Sequence, residues 1–334
     1  MPAVVEIHRP LGDVRFERVF RVGQGRQFES HDDHPGYVNR VHDKTPIPSQ
    51  RSACADPLTP VAAVVRRHDR DRYQTALFAP AARREALFAL YAFNYEIARV
   101  GESVTQPTLG HVRLQWWREN IAALYGSSPV RRHPIVEKLA GAVREYRLSR
   151  HHFDHLIDAR ENDLEDDPPA NLEVLEKYAE GTSSRLIYLA LESLGASEPI
   201  TLRAARHVGI AFALSGMLRA LPIRPPTQRP FVPADLTARY RLDQRDAQQM
   251  PSSPALQAIV ADIARLAYSH LNEARRARSL VSRAALPALL PAKIADQSLV
   301  RLRRAAYDPF DPALQRTDPL QIWRLCHAML RGRF

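Results

Sequence analysis

From Pro57 onward, apolar side chains recur at three- and four-residue spacing and prolines interrupt them at intervals, the pattern of successive amphipathic helices. It predicts helices near 60–76, 81–100, 108–126, 134–146, 149–163, 171–194, 200–220, 254–282, 288–304 and 319–331. In the sixth, Leu172, Leu175, Tyr178, Ala179, Thr182 and Leu186 fall on one face. Asn171 is placed to cap that helix, with Glu173 and Glu176 in the first turn, where the helix dipole favours anions. Pro80, Pro107, Pro134 and Pro168–Pro169 lie between periodic stretches, where breakers belong. β-Branched alternation is nearly absent, and residues 221–236, with five prolines, form the one non-helical interlude. No internal repeat and no heptad seam is visible. The pattern predicts a single all-α domain over residues 57–334.

Residues 1–56 break this rhythm. They carry eight basic and eight acidic residues, four histidines and scattered Pro and Gly, and are expected to be a poorly ordered extension. They lack the apolar stretch of roughly 7–15 residues that a secretory signal needs. Glu6, Asp13, Glu17, Asp32 and Asp33 are out of keeping with an acid-poor mitochondrial transit segment. A transit segment, a start set too far upstream and a plain tail stay open as readings.

Composition sharpens the picture. The chain of 334 residues has 47 Lys+Arg against 37 Asp+Glu, a net +10, and the 1–56 balance puts all of that excess in the helical part. Only Lys44, Lys138, Lys177 and Lys293 are lysines, so the positive charge is almost wholly guanidinium. A 45% hydrophobic content excludes wholesale disorder. Cys54 and Cys326 sit at opposite ends and cannot form a disulfide framework. No window reaches the ~18 consecutive apolar residues of a spanning helix. The basic balance points to nucleic acid, a membrane surface or an acidic small molecule. The pairs Arg66-Arg67, Arg131-Arg132 and Arg275-Arg276 and the stretch 301–304 lack interleaved aromatics, so no nucleic-acid partner is expected.

Three segments, in order, resemble the squalene/phytoene synthase family of prenyl-diphosphate-condensing enzymes. The first is Arg83-Arg84-Glu85-Ala86-Leu87-Phe88-Ala89-Leu90-Tyr91-Ala92-Phe93, followed by Leu114-Gln115-Trp116-Trp117-Arg118. The second runs from Leu156-Ile157-Asp158-Ala159-Arg160 through Asp163-Leu164 to Tyr178-Ala179-Glu180. The third is Gly209-Ile210-Ala211-Phe212-Ala213-Leu214-Ser215-Gly216-Met217-Leu218-Arg219, then Arg229-Pro230-Phe231-Val232-Pro233. The resemblance implies an isoprenoid-synthase-like helical fold. It also implies a site in which two aspartate-rich motifs on facing helices hold magnesium, which neutralises a leaving diphosphate.

Against that family pattern this chain departs at the motifs themselves. Ala98 and Arg99 stand at the paired aspartates of the first motif, with Glu102 alone retaining an acidic position. In the second, Arg219 is kept, whereas Ala220, Ile223 and Arg224 replace acids, and Ala213 and Gly216 replace polar residues upstream. No metal site and no cofactor are therefore expected, magnesium entering only if the chain is an enzyme. Such losses resemble the complex I assembly factor 6 branch of the superfamily, as do Ala92-Phe93-Asn94-Tyr95-Glu96-Ile97-Ala98, the stretch 171–180 and the tail Tyr307-Asp308-Pro309-Phe310-Asp311-Pro312. That resemblance implies a non-catalytic protein working with complex I subunits or other assembly factors. The alternative is a prenyl-diphosphate-using transferase with an unconventional site.

The candidate ligand residues are Arg99, Arg219 and Arg224, whose guanidinium groups can chelate phosphate without metal, together with Asp158 and Asp163, which match acidic positions in some members. A prenyl or lipid ligand fits this reading. Arg219 is equally expected to pair with an acid such as Glu102. His151 and His155, four apart on a helix, lack the glutamate of a zinc-protease helix and read as a solvated face. Trp116 and Trp117 point about 100° apart, one inward and one toward the surface. Residues 320–330, with Trp323, Leu325 and Leu330 flanked by Arg324 and Arg331, are expected to dock on the core, peripheral contact with an anionic membrane being the other reading. Near-exclusive arginine suggests a GC-rich genome, which fits a bacterium without excluding a eukaryote; in a bacterium the expected place is the cytoplasm or the inner face of the membrane. In a eukaryote the expected place is the matrix side of the mitochondrial inner membrane.

Overall fold

Proline sets where the helices begin. It occupies the first turn at Pro60, Pro107, Pro134, Pro199, Pro254, Pro291 and Pro312, where its missing N–H has no intrahelical partner to lose. The computed structural model describes residues 58–104, 106–224, 228–243, 253–316 and 318–334, and among them no β-strand occurs. Among the described residues sixteen α-helices follow in order: α1 (Pro60–His68), α2 (Arg70–Ala76), α3 (Ala81–Ala98), α4 (Val100–Ser103), α5 (Pro107–Tyr125), α6 (Pro134–Tyr146), α7 (Arg150–Glu161), α8 (Leu172–Ala179), α9 (Arg185–Leu194), α10 (Pro199–Ala220), α11 (Ala234–Arg239), α12 (Pro254–Arg276), α13 (Leu286–Leu289), α14 (Pro291–Arg304), α15 (Pro312–Gln315) and α16 (Gln321–Leu330). The expected extension over 1–56 lies outside the described residues.

Two helices are apolar on nearly every face and are therefore buried along their length. In α3 every residue from Ala86 to Asn94 is buried, and in α10 so are Ala204, Val208, Gly209, Ile210, Ala211, Phe212, Leu214 and Leu218. α1, α6 and α9 pack on α3, whereas α8, α9, α12 and α14 pack on α10. The all-α expectation holds, and most predicted helices stand within a few residues of their expected ends.

Four boundaries differ, each for a local reason. The stretch 60–76 is two helices, because Asp69 leaves the helical region (φ −136°, ψ 69°) and its carboxylate caps α2 at Arg72 N, 3.1 Å away. The stretch 171–194 is broken by a π-turn at Glu180–Ser184, which separates α8 from α9. α12 ends at Arg276 and a 3-10 turn, Arg278–Leu280, follows. The proline-rich interlude holds a 3-10 turn at Leu221–Ile223 and the short α11. The Asn171 cap is as expected, its side chain accepting from Val174 N at 3.0 Å.

At the π-turn the chain comes unusually close to α10. A Cβ added at Gly209 would lie 2.4 Å from Ser184 Oγ and 2.5 Å from Ser184 Cα, while the Ser184 hydroxyl donates to Arg206 O at 2.7 Å. Only glycine fits this crossing. Gly209→Ala is expected to lose about 1–3 kcal/mol or more by overpacking. Gly141→Ala, where nothing lies within 4 Å of the added methyl, should be neutral or gain up to ~1 kcal/mol. Urea denaturation of the two variants checks the contrast.

His151 and His155 are exposed on α7, as a solvated face requires, but His152 between them is buried against Tyr188. Burial, helped by His151, Arg185 and His155, pushes its pKa down from 6.5 to about 3. The folded chain thus holds a neutral imidazole that the unfolded chain protonates more readily. Its stabilising contribution is complete above pH 6.5 and is lost as pH falls toward 3. Between roughly pH 6 and 4, wild-type stability should fall about 1.4 kcal/mol per pH unit more steeply than that of His152→Gln, read from urea melts across pH.

Candidate functional site

The break at Asp69 turns the start of α2 toward α10 and opens a cavity of about 450 Å³. Its wall is built from the α1–α2 junction, Asn94 of α3, Arg160 of α7, Tyr178 of α8, Thr182 and Ser183 of the π-turn, and the C-terminal half of α10. Five arginines line it, Arg70, Arg72, Arg160, Arg219 and Arg224, against two carboxylates, Asp69 and Asp71.

Both carboxylates are engaged by guanidinium. Asp69 Oδ2 lies 2.8 Å from Arg72 Nη1, and the Arg72 head rests 4.8 Å over the Phe212 ring. Asp71 accepts from Arg219 Nη2 at 2.9 Å and from Gln321 Nε2 at 2.9 Å, so one side chain joins α2, α10 and α16. Arg219 therefore pairs with Asp71, not with Glu102, and Gln321 of the C-terminal helix shares the same carboxylate.

Deeper in, Arg160, Asp163 and Tyr178 form a closed set. Arg160 Nη1 donates to Asp163 Oδ2 at 3.0 Å and to Tyr178 Oη at 2.9 Å, and Tyr178 Oη donates to Asp163 Oδ1 at 2.6 Å. Desolvation disfavours the charged guanidinium, but Tyr178, Asp163 and, at longer range, Glu102 outweigh it and hold the Arg160 pKa above its ordinary value. Burial raises the Tyr178 hydroxyl far above the usual range, so it stays protonated and donates. Four polar atoms in this wall find no protein partner: Asn94 Oδ1, Ser183 Oγ, Arg160 Nε and Arg224 Nε. A concave wall with unspent donors and a cationic excess suits a polar, anionic group.

The structure sorts the sequence candidates. Arg219 and Arg224 share the cavity, Arg224 lying 5.8 Å from the Phe231 ring centre. Ala220 also lines it, and Asp163 stands behind Arg160. Arg99 is exposed at the end of α3, bound to Glu96 at 3.3 Å and placed over Tyr95. Ala98 precedes it, and Glu102 is exposed on α4. Ile223 is 72% exposed and faces away. Asp158 belongs to another surface, held by Arg118 at 2.6 Å beside Glu161. Asp69, Asp71 and Arg72 were not singled out from sequence. Their only signal was the charge run from His68 to Arg72, which reads as solvated until the helix break is seen. Trp117 is buried and Trp116 half-buried, as the 100° offset requires.

Comparison with known proteins gives this geometry its relatives. The squalene/phytoene synthase family model matches residues 65–328, and the chain belongs to that family. The bovine protein named NADH dehydrogenase (ubiquinone) complex I, assembly factor 6 is 33% identical over 268 residues, covering 78% of this chain and 80% of the relative. The human protein of the same name matches at the same identity and coverage. Presqualene diphosphate synthase of Rhodopseudomonas palustris is 26% identical over 199 residues, 59% of this chain and 70% of its own. Among solved structures, squalene synthase HpnC from Alicyclobacillus acidocaldarius superposes with a TM-score of 0.66 at 19% identity, covering 75% of this chain and 94% of that one. A dehydrosqualene synthase superposes with a TM-score of 0.68 at 15% identity, covering 81% and 94%. These two share the helical fold.

The family's magnesium chemistry does not fit the residues here. Five arginines line the cavity, and its own two carboxylates already neutralise two of them. Among the described residues no three His, Cys, Asp or Glu side chains come together as a metal nest. Guanidinium groups repel a dication and offer it no lone pair. The Arg160 set is instead a structural centre of the wall. Asp163→Asn should destabilise by about 3 kcal/mol or more, because it leaves a buried guanidinium uncompensated. Tyr178→Phe, which removes one hydroxyl, should cost only about 1 kcal/mol. Urea melts at pH 7 measure both.

Proposed function

We propose that this chain is a non-catalytic squalene/phytoene synthase-like protein that acts in the assembly of respiratory complex I. The observation that carries the reading is the similarity of the chain, 33% identical over most of its length, to proteins named as complex I assembly factors, and a cavity lined by five arginines whose two carboxylates are already paired supports it. A prenyl diphosphate ionises only if its leaving group is neutralised as the bond breaks, and metal does this in the family. Arg72, Arg160, Arg219 and Arg224 supply positive charge in its place, but most of it is committed to Asp69, Asp71 and Asp163. Such groups hold an anionic head of a prenyl or lipid ligand without activating it.

The partners are complex I subunits or other assembly factors, met at the face of the energy-converting membrane. No described helix is long and apolar enough to cross that membrane. The transferase alternative has weaker support. The presqualene diphosphate synthases are less similar over a shorter span.

A strain lacking the gene is expected to lose NADH:ubiquinone oxidoreductase activity while succinate oxidation persists. Wild-type complex I activity in that strain would overturn the assembly role. In parallel, purified protein incubated with farnesyl or geranylgeranyl diphosphate and magnesium should release no diphosphate. Release that Asp163→Asn or Glu102→Gln abolishes would establish the transferase instead.

A further inference from the structure

The C-terminal helix α16 has two apolar faces where docking uses only one. Leu325 and Ala328 are buried against the core. The helix is tied down at both ends: Gln321 donates to Asp71 and to Gln74 Oε1, each at 2.9 Å, and Arg283 donates to Met329 O at 3.1 Å. On the opposite side Leu320, Trp323 and Leu330, at helical spacing, are 52%, 70% and 80% exposed. A fixed helix gains nothing in folding from a second apolar stripe, and an exposed tryptophan flanked by leucines usually marks a contact.

Beside the stripe, α12, α14 and α16 enclose a cleft of about 720 Å³. Eight cationic side chains line it, with Asp296 as the only carboxylate side chain. Asp296 is taken by Arg275 at 2.8 Å and Lys293 at 3.6 Å. Arg304, Arg331 and Arg333 have no carboxylate partner among the described residues. Arg278 Nε is buried without a partner, and burial, then the charges of Arg275 and Arg333, lower its pKa. Like charges crowded this way are strained until an anion enters.

The occupant must satisfy both features. An acidic peptide or a nucleic acid answers the charge but leaves Leu320, Trp323 and Leu330 in water. An anionic bilayer answers both, since tryptophan favours the headgroup level, leucine the acyl boundary, and arginine reaches phosphate along its apolar stem. Arg324 on α16 and Arg331 just past its end flank the stripe as such a helix requires.

We propose that α16 and the arginine cleft beside it form a docking surface for an anionic phospholipid bilayer. Leu320, Trp323 and Leu330 enter the headgroup–acyl boundary, and the cleft arginines receive lipid phosphates. The inference deepens the assembly reading by giving it a membrane-facing side, but its test does not depend on complex I.

The full chain is mixed with phosphatidylcholine vesicles and with vesicles carrying about 30% phosphatidylglycerol, near 0.1 M and near 0.5 M salt. Co-sedimentation and tryptophan emission are read together. The anionic vesicles should bind at least about tenfold more protein at the lower salt, with a blue shift that Trp323→Phe removes while Trp116 and Trp117 still report. Arg304→Ala with Arg331→Ala should weaken partitioning by about tenfold or more, and Leu330→Ser should weaken it at both salts, with thermal melts unchanged. Equal binding to neutral vesicles, no binding, or indifference to all these variants overturns the proposal. So does polyglutamate or RNA binding as tightly as the anionic vesicles with Trp323 emission unmoved. Failure here with complex I lost in the deletion strain condemns the surface alone. Success here with complex I intact in that strain condemns the assembly reading alone.

Discussion

Everything around the cavity depends on one close crossing, that of α10 over the π-turn. Gly209 lets the backbone of α10 come against Ser184 at a distance no side chain would permit, and the Ser184 hydroxyl seals the contact on Arg206 O. The crossing sets how far α8 and α7 stand from α10. It thereby sets the gap across which Tyr178 and Arg160 face Arg219 and Arg224. The π-turn contributes in a second way: its wider winding turns Thr182 and Ser183 toward the cavity, where the Ser183 hydroxyl has no protein partner. A helix of ordinary winding would carry the same apolar face without offering those hydroxyls.

Within that frame the chemistry is set by the sign of the charge on the wall and the way it is compensated, on a helical fold shared with solved squalene synthases. Asp69, Asp71 and Asp163 each neutralise one arginine in a partly dehydrated setting, where an unpaired charge is expensive. The wall is therefore nearly self-satisfied, with a small cationic surplus left at Arg70 and Arg224.

Helical periodicity made most of the architecture legible, because the apolar faces of α3, α6, α9 and α10 repeat without ambiguity. It failed where a capping side chain or a winding defect intervenes inside an unbroken apolar pattern, as at Asp69 and the π-turn. The candidate site was half legible. Motif alignment located Arg219 and Arg224 but also pointed to Arg99, Ile223 and Asp158, which the structure turns outward. Periodicity tells which residues share a face and says nothing of how one helix is rotated against a third. The pairing of Arg219 with Asp71 joins residues 148 apart in sequence, and no local pattern encodes it. The Trp323 stripe was visible from the start, but only the docking of Leu325 and Ala328 showed that it is surplus to the core.

The scarcity of lysine has a consequence for control. Guanidinium keeps its proton at every pH a cell reaches, and it is not a substrate for the acylations that neutralise lysine. In the cleft beside α16 only Lys293 is open to such modification. Attachment through this surface is therefore little open to control by lysine acetylation, with one lysine among eight cationic side chains. Residence at a membrane would be governed from outside the protein, by the anionic lipid content of the leaflet and the ionic strength beside it.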